Sequence, residues 1–162
     1  MNPYVLRLLE MANVFPCLNA VTPSSTTPLR VNVKNYTRVA FVILVKNDTT
    51  VTGSAITLHQ SKTLAGGSEK ALAFDKVFRN LDTVAGETWE EAAVASNTFT
   101  TLTTNSKEAI YVIDVETNTL DINDGFDCIR VGTGNGVNTT ISVLAIAYPN
   151  SRGLPIPKLR AD

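Results

Sequence analysis

The sequence is short of charge, sulfur, histidine and tryptophan, and each shortage closes off a class of function. Charged residues are 18% of the 162 residues, below the roughly 25% usual in globular proteins. Lys and Arg number 14 against 15 Asp and Glu, for a formal net charge of −1. Such a balance builds no field to draw in nucleic acid or an anionic membrane. Arg38, Arg79, Arg130, Arg152 and Arg160 are scattered, without the aromatic interleaving that lines a nucleic-acid groove. The two cysteines, Cys17 and Cys128, stand far apart with no CxxC neighbour, so no disulfide framework is expected. Cys128 falls in an apolar strand pattern and reads as a small buried hydrophobe. No apolar run approaches the ~20 residues of a membrane span. Arg7 and Glu10 break the N-terminal apolar stretch, so no signal peptide is read there, and synthesis in the cytosol is expected.

What is present is strand pattern. From Arg30 onward the apolar period is 2: Val31 and Val33 alternate with Asn32 and Lys34. Arg38 to Lys46 is nearly continuous, β-branched and too short for a typical helix, which predicts a strand buried on both faces. Thr49 to Gln60 alternates around Ile56, Leu58 and Gln60 and is expected to form a hairpin with it. Ala71 to Phe78 predicts a strand with Leu72 and Phe74 inward. In Asp82 to Thr104, Thr88-Trp89-Glu90-Glu91 fits a capping box, so a loop or a short helix through Ala95 is expected, followed by an edge strand around Phe99 and Leu102. Three further strands close the pattern: Ile110–Val115, Phe126–Val131 and Ile141–Tyr148. About eight short strands predict an all-β, antiparallel β-sandwich or jelly roll over residues 30–148.

The two ends differ from this core. Asn2-Pro3 reads as a helix start, with Val5, Leu8, Leu9 and Ala12 on one face and a stop before Pro16. Residues 17–29, with Pro23, Pro28 and a Ser/Thr run, read as an extended linker. Residues 1–29 are therefore expected to form an N-terminal arm, and 149–162 an extended, Pro-rich tail. Removing residues 1–20 is expected to leave the core folded.

Few residue groups suggest chemistry. His59 has no second His or Cys beside it for zinc; it could serve as base in a spatial triad, but no serine sits in a Gly-x-Ser-x-Gly elbow. Asp121-Ile122-Asn123-Asp124-Gly125-Phe126-Asp127 has the flavour of a calcium loop. However, its Gly is fifth rather than sixth, and Gly132 occupies the place of the closing Glu. A turn between strands explains the same residues. Gly132-Thr133-Gly134-Asn135-Gly136 precedes a strand rather than a helix N-terminus, and so reads as a hairpin tip instead of a phosphate loop. Glu90 and Glu91 are adjacent and diverge. No catalytic, cofactor-binding or metal-binding set is expected.

Tyr36-Thr37-Arg38-Val39-Ala40-Phe41-Val42-Ile43, Ala65-Gly66-Gly67-Ser68-Glu69-Lys70-Ala71-Leu72 and Leu120-Asp121-Ile122-Asn123-Asp124-Gly125-Phe126-Asp127-Cys128-Ile129-Arg130-Val131 together resemble small virion structural proteins of tailed bacteriophages. The likeness is to head decoration, or cement, proteins, and it covers roughly residues 31–148. It implies a non-enzymatic protein on the capsid exterior, bound to the major capsid protein and to copies of itself, often as trimers. Neither nucleic acid nor membrane is an implied partner. Asp82 to Thr104 and the long N-terminal arm depart from the shorter members. On this reading Val5, Leu8 and Leu9 anchor one arm, and Leu154, Ile156 and Pro157 make a second contact. A tail-tube or head–tail joining protein is the alternative within the virion. A carbohydrate-binding sandwich is the alternative outside it, though Trp89 is the single tryptophan available for a sugar platform.

Overall fold

The computed structural model describes residues 11–86, 88–95 and 97–150. They form an all-β sandwich of eleven strands: β1 Asn13–Val21, β2 Val31–Asn32, β3 Tyr36–Asn47, β4 Ala55–Ser61, β5 Lys70–Ala71, β6 Lys76–Asn80, β7 Glu90–Ala93, β8 Thr98–Thr100, β9 Glu108–Glu116, β10 Cys128–Thr133 and β11 Thr139–Pro149. The larger sheet runs β1-β11-β3-β9-β6-β7. The smaller runs β2-β10-β4-β5, with β8 also paired to β4. All pairings are antiparallel.

The period-2 pattern explains the packing. On β3, Val39, Phe41, Ile43 and Val45 point inward, as do Ala109, Tyr111, Ile113 and Val115 on β9 and Ile141, Val143 and Ala145 on β11. Ile56 and Leu58 of β4 and Ile129 and Val131 of β10 meet them from the smaller sheet. Side chains alternating across a pleat give each sheet one such face, and two of them make a sandwich core. Tyr111 is fully buried because its hydroxyl accepts the Leu102 backbone N–H at 2.7 Å, which satisfies both groups. β3 ends where buried Asn47 donates through Nδ2 to the carbonyls of Leu102 (2.7 Å) and Thr104 (3.0 Å).

Several expectations change. The hairpin of β3 with the strand after it does not form, because β3 pairs with β9 and β11 while β4 pairs with β10, β5 and β8. The connection carries the chain across the core from one sheet to the other. It lacks the two-residue Asn-Gly or Asp-Gly turn that holds strands side by side. The glycine stretch after β10 is likewise a crossing and not a hairpin tip: β11 lies in the other sheet, and Gly134 N–H donates to Ala55 C=O at 2.7 Å. The capping-box residues Glu90 and Glu91 belong to strand β7, not to a helix, and pair across to Arg79 and Lys76 of β6. Ala71 to Phe78 is split into β5 and β6, with Leu72 buried and Phe74 packed against the core as expected.

The largest difference lies at the N-terminal side. Asn13–Val21, assigned from sequence to the helix end and linker, is a nine-residue edge strand paired to β11. Its alternation was hidden by register shifts on either side of Leu18. A bulge places two successive residues against one, and here Cys17 and Leu18 are both buried. Pro16 is tolerated because the strand is an edge, where a missing N–H need not break a ladder. The core thus begins before residue 30.

Candidate functional site

Three features of the surface could carry function: the outer face of the larger sheet, the end of the sandwich from which both arms leave, and a charged cluster on the smaller sheet.

On the outer face of the larger sheet, Pro16, Leu144, Val42, Val112 and Phe78 are successive register partners across five strands. Val14, Ile146, Ala40, Leu44 and Ile110 flank this row from the same face. Phe78 is 40% exposed and Leu44 38%; the rest of the row is half-buried except the exposed Pro16. The ion pair Arg38–Asp114 closes one side and Lys46–Glu108 (3.4 Å) the other. The solvent side of an antiparallel sheet is normally polar, and a contiguous apolar patch rimmed by charge marks a protein-binding face. This corrects the expectation that β3 is buried on both faces: its inward residues are, while Val42 and Leu44 remain accessible.

The arm residues Val5, Leu8, Leu9, Leu154, Ile156 and Pro157 lie outside the described residues. Their points of attachment do not. Asn13 is paired with Ala147 on adjacent strands, and Asn150 N–H donates to the Asn35 carbonyl at 3.0 Å. Both arms therefore leave the same end of the sandwich, side by side. A groove of about 600 Å³ opens at that end, with Val33, Tyr36, Leu120 and Phe126 in its walls and Ile122 at its lip. The supposed calcium loop forms part of this groove. Ile122–Asp124 is a 3₁₀ turn closed by Gly125 at φ +83, a left-handed position suited to glycine. Asp121 pairs with Lys70. Among the described residues no group of His, Cys, Asp and Glu is arranged to hold a metal.

On the smaller sheet, the Glu69 carboxylate takes the Arg130 guanidinium (Nε at 2.7 Å) and that of Arg30. These pairings hold its carboxyl down at about 2 against an ordinary 4.5. His59 is half-buried, its Nδ1 3.5 Å from Glu69 and its Nε2 2.9 Å from the Thr57 hydroxyl. Burial, then the Arg130 charge, lowers its pKa. A neutral ring with Nδ1–H toward Glu69 and Nε2 accepting from Thr57 satisfies both neighbours. Gly132 makes room for this line, since a Cβ there would lie 2.4 Å from Thr57 Oγ1 and 2.8 Å from His59 Nε2. Hydroxyl, imidazole and carboxylate thus fall in the order of a nucleophilic triad. A triad carboxylate must orient and stabilise imidazolium, whereas Glu69 is committed to two guanidiniums. The cluster works as a clamp that fastens the turn before β5, and the segment leading into β2, to the sheet face.

Replacing Glu69 with Ala should therefore cost about 2 kcal/mol, less than a fully buried pair because solvent still reaches the site. The folded pKa of Glu69 is depressed, so its contribution is complete above about 4.5 and is lost as pH falls toward 2. Urea titrations across that window should show the wild type losing stability more steeply than Glu69→Ala. Parallel curves would remove the clamp.

Both cysteines are free and buried, with their thiols pushed up to about 12, chiefly by burial. Trp89 is 52% exposed beside β7 and has no aromatic neighbour among the described residues to make a sugar platform. Comparison with family models, curated proteins and solved structures finds no match to this chain. The apolar face was missed from sequence because an uncovered apolar strand and a doubly buried one have the same composition. The ion cluster was missed because Arg30, His59, Glu69 and Arg130 meet only through strand pairing and a folded-back turn.

Proposed function

We propose that this chain is a non-enzymatic structural protein of a tailed-phage virion, one that decorates the capsid exterior and stabilises it through its sandwich and arms. The observation that carries this reading is the apolar outer face of the larger sheet. A row of apolar side chains across five strands is unfavourable in water and favourable against a protein partner. The stiff sandwich, with two arms leaving one end, suits a block that is placed by its body and fastened by its ends. Repetition on a lattice makes each weak contact multivalent. With β6 and β7 set aside as an added pair, β1-β11-β3-β9 faces β2-β10-β4-β5/β8, and this order supports the jelly-roll form of the sandwich. Fold alone does not assign function. The sequence likeness over residues 31–148 supplies the virion setting.

The test is particle binding with a surface variant. Val42→Lys combined with Leu144→Lys places two charges in the middle of the row. Both side chains face outward, but they are opposed partners whose like charges repel, so stability should fall by no more than about 2 kcal/mol and the chain should remain folded. Occupancy on purified heads should fall at least tenfold. Wild-type occupancy of the variant would sink the proposal. A lattice-scale copy number per particle supports decoration, whereas a single ring's worth of copies would move the protein to the tail or the head–tail joint.

A further inference from the structure

We infer that the groove at the arm-bearing end is the seat of the chain's own C-terminal segment, residues 153–158, with Leu154 and Ile156 as the groups that fill it. The inference concerns the free protein and does not depend on the virion reading. Four of the groove's apolar walls, Val33, Tyr36, Leu120 and Phe126, belong to the core-facing set, while Ile122 stands 58% exposed at the lip. It is therefore an apolar trough with one uncovered edge.

Chain length and position select the occupant. Asn150 lines the groove and is pinned to Asn35 at 3.0 Å, so the tail starts at the rim. Leu154 is four residues further on and Ile156 six, reaches of at most ~14 and ~22 Å, enough to cross the trough. The sequence Leu154-Pro155-Ile156-Pro157 favours this mode of binding over addition to a sheet edge. Its prolines remove two backbone donors that a strand ladder would need. They also preset an extended backbone, so two apolar side chains can be presented at low entropic cost. Charge agrees. The tail carries Arg152, Lys158 and Arg160 against Asp162. Around the groove Glu116, Asp124 and Asp127 have no ion-pair partner among the described residues, and the cations that oppose them are Lys34 and Lys62, the latter 5.3 Å from the centre of the Phe126 ring, since Arg38 is taken by Asp114 and Lys70 by Asp121. A tether this short gives an effective concentration in the millimolar range, which favours the chain's own tail over that of a second copy in dilute solution.

Paramagnetic relaxation tests this directly. Ala161→Cys supplies a labelling site, and the native Cys17 and Cys128 are buried with thiol pKa values of about 12, so a nitroxide goes to position 161. Amides of Ile122, Gly125 and Phe126 should broaden in the labelled chain. They should stay sharp when an isotope-labelled chain without nitroxide is mixed with nitroxide-bearing chains. No broadening, or broadening as strong in the mixture as within the chain, overturns the inference; the second result assigns the groove to a neighbouring copy. Leu154→Asp with Ile156→Asp should reduce the broadening at least tenfold, and so should Ile122→Asp, an exposed site where the fold tolerates a charge. Broadening that survives both changes, in proteins with unchanged thermal transitions, also overturns it.

Discussion

A chain lacking residues 1–20 is expected to be largely unfolded at room temperature, and far less stable than one lacking residues 1–10 alone. The contrast follows from β1. Asn13–Val21 is bonded along β11, and Cys17 and Leu18 are buried in the core. Burying a side chain of that size contributes roughly 1.5–3 kcal/mol. Removing β1 also leaves the inner row of β11, Ile141, Val143, Ala145 and Ala147, at an open edge. The buried Asn13–Tyr36 hydrogen bond (3.0 Å) and the edge-to-face packing of Phe15 on Tyr36 (6.2 Å) go with it. A domain of this size has about 5–15 kcal/mol of stability in total, so these losses consume most of it. Far-UV circular dichroism and urea midpoints of the two truncations decide the matter. A 1–20 deletion with the full-length midpoint would take β1 out of the sandwich. The expectation that residues 1–20 can be cut without harm to the core is thereby revised, and particle-binding tests of the arm need the shorter deletion.

Phe41→Ala is expected to lower stability by about 3–5 kcal/mol, while Val42→Ala beside it costs less than about 1. The two residues are neighbours on β3, so propensity and strand position are almost the same. Phe41 is fully buried between the sheets, where truncation leaves a cavity that close-packed neighbours cannot fill. Val42 lies on the outer face between Leu144 and Val112 and is half-buried. Calorimetric midpoints of the pair separate a strand buried on one face from one buried on both. Equal losses would mean that the outer face is covered in the free protein, and the case for it as a partner surface would end.

Much of the sandwich was legible because period 2 is a local property. Val39, Phe41, Ile43 and Val45, or Ile141, Val143 and Ala145, reveal a one-sided strand without reference to anything distant. Leu72 and Cys128 could be read as buried, and Glu90 and Glu91 as divergent, on the same footing. Local reading failed where two patterns overlapped. Bulges in Asn13–Val21 broke the alternation next to a helix-like spacing of Val5, Leu8, Leu9 and Ala12, and a proline that stops a helix also fits an edge strand. Thr88-Trp89-Glu90-Glu91 suited a helix cap until β6 offered Arg79 and Lys76 across a ladder.

The sequence by itself determined an all-β, antiparallel chain with its apolar residues on alternate positions, since the sign and spacing of side chains are set residue by residue. Tertiary structure alone decided that consecutive strands cross between sheets, that Arg30, His59, Glu69 and Arg130 meet, and that an apolar face and a groove stay open beside the arms. Those outcomes depend on which strand edges pair. That choice is made by long-range complementarity among strands of nearly equal propensity, and no local window of residues encodes it.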